Sequence, residues 1–84
     1  MFSFIKKLNL VDLNLSYNNL TSIEGLYDKQ LNKTLKRLNL SNNLIKEFPK
    51  NFFEDLEYLD LSSNLFKFKG ICQLGNYLQF AKLV

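Results

Sequence analysis

The sequence contains no histidine, only three glycines and a single cysteine, and these shortages exclude most kinds of active site. Without histidine the chain lacks the commonest general base and the commonest protein ligand for transition metals. The only glycines are Gly25, Gly70 and Gly75, and they form no phosphate-binding loop. Because no set of residues has the parts of a catalytic constellation, we expect no enzyme, no catalytic residue, no small-molecule substrate, no metal and no cofactor.

The single cysteine, Cys72, excludes an intrachain disulfide and is typical of a protein in a reducing compartment. Its apolar surroundings, GICQLG, predict a buried structural thiol rather than a nucleophile. No apolar run approaches the roughly 18 residues that a membrane span needs, and residues 1–7 lack the features of a signal peptide. We therefore expect a cytoplasmic protein, with the nucleus as the alternative, that does not bind membranes.

The charge excess is small, because 11 basic side chains face 8 acidic ones for a formal net charge of +3. A protein that tracks phosphates concentrates its basic residues on one side, whereas acidic residues are interleaved with the basic ones here. Nucleic acid is therefore not the expected partner. An RNA-associated module stays as an alternative because of the basic residues between positions 29 and 50, which are Lys29, Lys33, Lys36, Arg37, Lys46 and Lys50.

Leucine and asparagine, by contrast, occur in a repeated pattern. Segments that begin at residues 10, 35 and 56 align with one another, with leucine at the first, fourth and sixth places and asparagine at the ninth. These positions are Leu10, Leu13, Leu15 and Asn18; Leu35, Leu38, Leu40 and Asn43; and Leu56, Leu59, Leu61 and Asn64. Another apolar residue follows two places after each asparagine.

The spacing of these residues predicts a strand and a turn in every copy. Alternation of leucines is the period-two pattern of a short strand with one buried face, and stacked copies would join those faces into one core. The asparagine amide has both donor and acceptor groups, so it can satisfy the backbone of adjacent turns. We therefore expect Asn18, Asn43 and Asn64 to form a structural ladder rather than a ligand site.

The motif LxxLxLxxNxL, present three times between residues 10 and 70, resembles that of the leucine-rich repeat family. The resemblance implies an α/β fold: a right-handed β/α superhelical solenoid with a short parallel sheet on its concave face and irregular or 3₁₀ return segments. It also implies protein–protein interaction without catalysis. Residues 1–84 would form a single repeat unit.

The return segments resemble two different subfamilies. The first, with Ile23 to Leu26, is similar to short intracellular repeats, typified by regulatory subunits of protein phosphatases. The second contains Phe48 and Pro49 followed by Phe52 and Phe53, which is similar to typical repeats. One of the latter two phenylalanines is expected to fill the core on the convex side. We expect a member of the intracellular type with mixed short and typical repeats, and the mixture leaves the subfamily open.

Both ends depart from the pattern. Residues 1–9 have similar apolar spacing without the asparagine and are interpreted as an N-terminal edge. A partial repeat starts at about residue 78, where Leu78, Ala81 and Leu83 would begin a fourth strand. An open end of this kind predicts a truncated chain, a fragment or end-to-end self-association.

Residues between the inward leucines should face outward on the concave side. Stacking could pair Asp12 with Arg37 and place Tyr58 beside the guanidinium, and arginine and tyrosine are residue types that are enriched at interface hot spots. The expected partner-binding residues are Asp12, Asn14, Tyr17, Arg37, Asn39, Asn42, Tyr58, Asp60 and Ser63. The main hypothesis is therefore a non-catalytic module that binds another protein there, and its alternatives are a segment of a larger repeat scaffold and an RNA-associated module.

Overall fold

The computed structural model describes residues 9–26, 29–48 and 53–84. In these ranges three strands form one sheet of order β1-β2-β3, with parallel pairing throughout. The strands are β1, Asp12–Asn14; β2, Arg37–Asn39; and β3, Tyr58–Asp60. Leu13, Leu38 and Leu59 stand at equivalent positions of the three strands, which confirms that the copies stack in register. Three strands make a small open parallel sheet, and the superhelical solenoid stays a prediction.

The segments that connect the strands contain more helix than the sequence predicted. Between β1 and β2 lie a 3₁₀ turn, Glu24–Leu26, and helix α1, Lys29–Thr34. After β3 come helix α2, Phe68–Cys72, and a second 3₁₀ turn, Gly75–Gln79. The described residues between β2 and β3 are irregular. The first copy is longer than the second, 25 residues against 21, so its return segment has more room for a helical turn.

The core lies between the sheet and the return segments. Leucines of β2 and β3 and of the residues that follow them are at most 1% exposed: Leu38, Leu40, Leu59 and Leu61. On the return side Phe53 is 1% exposed, which confirms that one phenylalanine of the pair fills this core. Pro49 and Phe52 lie outside the described residues.

Three aromatic side chains close the core near the C-terminal end. The Phe48 ring lies 5.9 Å from that of Phe53 and 5.1 Å, edge-on, from that of Tyr77, measured between centroids. The Tyr77 hydroxyl accepts a hydrogen bond from the backbone N–H of Phe53 at 2.6 Å. Tyr77 therefore joins the last described turn to the second return segment by both apolar packing and a polar contact.

Cys72 corrects a prediction, because its thiol is free and exposed. The apolar neighbours suggested burial, but α2 has only five residues and turns Gly70, not Cys72, towards the rest of the molecule. A Cβ added at Gly70 would come within 2.4 Å of the Lys46 carbonyl oxygen, so the helix backbone lies directly against that turn. Cys72, at the end of α2, is left on the outer side.

The predicted fourth strand is reduced to a single bridge between Asp60 and Lys82. Ala81 and Leu83 pack against the core as expected. Leu78 does not, since the 3₁₀ turn holds it with 47% of its surface exposed. The predicted N-terminal edge falls on residues 1–8, outside the described ranges, and on Asn9. Within the described ranges no helix has the length and apolar content for a membrane crossing.

Candidate functional site

Six side chains occupy the outward positions of the three strands, and we call them the sheet face. In-register pairing arranges them in two rows across the strands. The first row is Asp12, Arg37 and Tyr58, and the second row is Asn14, Asn39 and Asp60. The alternation of the leucine repeat puts these residues on the side away from the core, because successive strand residues point to opposite faces.

The first row is held together by a two-pronged ion pair. Arg37 Nε donates to Asp12 Oδ1, and Arg37 Nη2 donates to Asp12 Oδ2 at 3.0 Å. The hydrogen bond from Arg37, helped by its charge, holds the pKa of Asp12 below the usual value, and the bond to Asp12 raises the pKa of Arg37. Both groups are therefore charged at neutral pH, and the two hydrogen bonds orient the planar guanidinium on the strand next to Tyr58.

A shallow groove of about 290 Å³ runs over this part of the sheet face. Its lining is mostly apolar, and the residues that line it are Asp12, Leu13, Asn14, Arg37, Leu38, Asn39 and Tyr58. The Tyr58 side chain is 43% exposed, and its hydroxyl donates to Asp60 Oδ2 across a long 3.4 Å contact. The groove thus combines an aromatic ring, an oriented guanidinium and side-chain amides that an incoming peptide could contact.

The second row also has a structural role, which the sequence pattern did not lead us to predict. Asn14, Asn39 and Asp60 each accept, through Oδ1, the backbone N–H of the serine two residues later, at 3.0 Å in every copy. This is an Asx turn, which closes the strand end locally. The signal was present in the sequence as an Asn or Asp followed, two places on, by serine in all three copies. The contact with a partner that the sequence predicted for this row stays a prediction.

Asp60 is the most enclosed member of the sheet face, at 7% exposure. Burial acts to raise the pKa of Asp60, but several contacts outweigh it and lower the pKa below the usual value. These are hydrogen bonds from the side chain and backbone of Ser62, the charge of Lys82 and the Tyr58 hydroxyl. The low exposure of Asp60 and its bonds with Ser62 give it a role in closing the strand end, and its predicted contact with a partner stays a prediction.

Tyr17, Asn42 and Ser63 lie in the turns after the strands and form a third group, the turn row. All three have left-handed backbone, with φ of 59°, 58° and 56°. Asparagine tolerates this region, whereas an aromatic residue does so at a cost. Tyr17 is also 77% exposed. These residues therefore lie in the turns that follow the strands, and their predicted contact with a partner stays a prediction.

Asparagine side chains connect neighbouring turns below the sheet. Asn43 Oδ1 accepts the backbone N–H groups of Asn18 and Leu20, each at 2.9 Å, and its Nδ2 donates to the Leu15 carbonyl at 3.0 Å. Asn64 makes the corresponding contacts one copy later, with Ile45 N–H and the Leu40 carbonyl. The described bonds of the Asn18 amide stay within its own turn, to the carbonyls of residues 15 and 16.

The acidic side chains form no metal-binding cluster in the part of the chain that the structure describes. In residues 9–26, 29–48 and 53–84, no three side chains among Cys, Asp and Glu come together in a way that could hold a metal ion.

Comparisons with known proteins agree with the repeat pattern. The family model described as Leucine rich repeat matches residues 8–66, which is more than half of the chain. Protein PAC2 of Saccharomyces cerevisiae is 44% identical over 62 residues, which cover 74% of this chain and 11% of that protein. The chain is therefore similar to a small part of a much longer protein. No solved structure matches it significantly.

Proposed function

The chain belongs to the leucine-rich repeat family, and on that premise we propose that it binds another protein through the sheet face, which we take to be the concave side. The family is typically non-enzymatic and mediates protein interactions. The observation that carries the proposal is the first row: an arginine oriented by a carboxylate, next to a half-exposed tyrosine, above a groove.

The first row suits recognition because much of its side-chain freedom has already been removed. Holding a long flexible side chain in one geometry costs conformational entropy on binding, and the ion pair with Asp12 has already ordered Arg37. Arginine and tyrosine are enriched among the residues that dominate interface energies. The second row and the turn row would then define the shape of the surface around the first row.

A comparative pull-down tests the assignment. One variant replaces Asp12, Arg37 and Tyr58 with alanine. Its matched control replaces Glu24, Lys33 and Phe68, which are also one acid, one base and one aromatic residue, all away from the sheet face. We expect the first variant to lose the proteins that the wild-type chain captures and the control to retain them.

Thermal denaturation of the three proteins shows whether folding is intact, because both triple variants remove only side chains outside the core. If the sheet-face variant is folded and still captures every partner, the proposal is wrong. If both variants lose the partners equally, the binding surface lies elsewhere or the loss is unspecific, and the assignment to the first row fails as well.

A second candidate function is a segment of a longer repeat scaffold, including end-to-end association of chains. It is favoured by the Asp60–Lys82 bridge, in which Leu61 N–H donates to the Lys82 carbonyl at 2.7 Å and Lys82 N–H donates to the Leu59 carbonyl at 2.8 Å. Backbone pairing of the strand type therefore extends to the edge of β3 that faces away from β2. Sedimentation of the purified chain distinguishes the two functions, because a concentration-dependent shift that survives the sheet-face substitutions supports the scaffold.

A further inference from the structure

A hollow of about 220 Å³ lies apart from the sheet face and is bordered by three lysines. We call it the lysine hollow, and its lining residues are Lys46, Glu47, Lys67, Lys69, Gly70 and Gln73. None of these residues lines the groove on the sheet face. With three cations and one carboxylate around one small space, it holds a local excess of positive charge in a chain whose net charge is only +3.

The repeat itself brings two of the lysines together. Lys46 and Lys67 follow Ile45 and Phe66, the apolar residues that stand two places after the ladder asparagines, so they occupy the same position of consecutive copies. The backbone bond from Leu65 N–H to the Ile45 carbonyl, 2.9 Å long, fixes the two turns side by side. The close approach of Gly70 to the Lys46 carbonyl then sets α2, with Lys69 and Gln73 beside it, against the same space.

Among the described residues, the three lysines border one space and none of them is in an ion pair. Like charges at stacked positions repel one another, and within the described residues no carboxylate lies within salt-bridge distance of these three ammonium groups. Elsewhere the chain does pair cations of adjacent copies, since Arg37 faces Asp12 and Lys36 faces Glu57. An added negative group would therefore gain ion pairs in the lysine hollow.

We propose that the lysine hollow binds an acidic segment of a polypeptide, with aspartate or glutamate side chains between the three ammonium groups and the Gln73 amide at the rim. A peptide fits better than a nucleic acid because the lysines border one small space, whereas a phosphate backbone is followed by an extended basic track. Lysines on flexible stems also suit dispersed carboxylates, since they act as mobile point charges without the fixed two-pronged geometry of arginine.

The test uses the whole chain and a fluorescein-labelled hexaglutamate peptide, with fluorescence anisotropy at low ionic strength. The variant Lys46→Gln/Lys67→Gln is compared with Lys33→Gln/Lys82→Gln, which removes the same formal charge from lysines outside the hollow. We expect the first variant to weaken binding by about three- to tenfold, as the loss of two exposed ion pairs would, and the second by less than about twofold.

A charge on the rim provides a test in the opposite direction. Glu47→Gln should tighten binding of the peptide, whereas Glu24→Gln, which removes the same charge from the exposed 3₁₀ turn, should leave it unchanged. Raising the salt concentration should weaken binding by the wild type more than by Lys46→Gln/Lys67→Gln, because fewer ion pairs remain to be screened in the variant.

Three results would overturn the inference. They are absence of peptide binding by the wild type, equal losses in the two lysine variants, and tighter binding of a labelled hexauridylate that depends on the same two lysines. The last result would identify the hollow as an RNA contact. The inference does not rest on the sheet face, so the Asp12, Arg37 and Tyr58 triple alanine variant should bind the peptide as the wild type does, and the two proposals can fail separately.

Discussion

Replacing Asn43 with alanine should destabilise the fold far more than the same change at Asn18, although the two residues hold the same place in the repeat. Asn43 is 4% exposed and makes five hydrogen bonds, three of them to the preceding turn. Asn18 is exposed, and its described amide bonds reach only the carbonyls of residues 15 and 16.

The loss of folding free energy in Asn43→Ala can be worked out from the hydrogen-bond partners that each contacted group would keep. The carbonyls that Asn43 contacts keep other donors: Asn18 Nδ2 for Leu15, Asn64 Nδ2 for Leu40, and a backbone N–H for Ser41. The loss therefore falls on the two N–H groups that share Asn43 Oδ1. Leu20 is buried, so its unpaired N–H costs about 1–3 kcal/mol, whereas water can reach Asn18 and limits that cost to about 1 kcal/mol.

With a smaller term for the weakened carbonyl contacts, the free energy of unfolding should fall by about 2–5 kcal/mol for Asn43→Ala and by about 0.5–1 kcal/mol for Asn18→Ala. A small domain has only about 5–15 kcal/mol in total, so the first change approaches the limit of folding. Urea denaturation followed by far-ultraviolet circular dichroism measures both, since the chain has no tryptophan to report on. Losses within about 0.5 kcal/mol of each other would refute the reasoning, because bridging between turns would then carry no special weight.

Further changes test other contacts. Asp60→Asn keeps the acceptor of the Asx turn and removes the charge. The pKa of Asp60 is lower in the folded protein than the unfolded value of 3.8, so the charged carboxylate stabilises the fold above that pH. This contribution is lost as the pH falls through the native pKa. Urea titrations should therefore give a larger difference between wild type and Asp60→Asn near neutral pH than in acid below the native pKa of Asp60, and a constant difference would contradict the assignment. Gly70→Ala should cost about 1–3 kcal/mol in thermal denaturation, because its Cβ would meet a backbone oxygen at 2.4 Å, while Gly25→Ala at an exposed position should be nearly neutral. Tyr17→Asn should raise the unfolding free energy by up to about 1–2 kcal/mol by relieving left-handed backbone strain, as at Asn42; an unchanged value would show that the tyrosine contributes compensating contacts.

The sheet and its register were predictable because two periodicities coincide. Alternation determines which residues face inward, and the repeat length determines which strand residues are neighbours, so the spacing alone places Arg37 beside Asp12. Burial of the core leucines follows from the same pattern. These features depend on spacing along the chain, which is fully visible in the sequence.

The features that could not be predicted depend on how the return segments pack against neighbouring copies in three dimensions. Helix α1 forms because the first return path is longer, and Cys72 is exposed because Gly70, not the thiol, contacts the preceding copy. An apolar neighbourhood in sequence does not specify which side of a five-residue helix is covered. The task of Asn14, Asn39 and Asp60 was visible in principle, since their Asx turns are local, but outward alternation alone suggested contact residues instead.

The asparagine ladder also gives the chain a direction. The Asn43 side chain accepts hydrogen bonds from backbone N–H groups of the copy before it, and the Asn64 side chain does the same for Ile45. Each of these asparagines therefore stabilises a turn that comes earlier in the chain. Shortening the chain from its C-terminal side would remove a support on which the preceding turn depends. Trimming from the N-terminal side would leave the bonds that Asn43 and Asn64 make within their own turns. During synthesis on the ribosome, the turns that Asn43 and Asn64 stabilise would therefore emerge before those asparagines have been added to the chain.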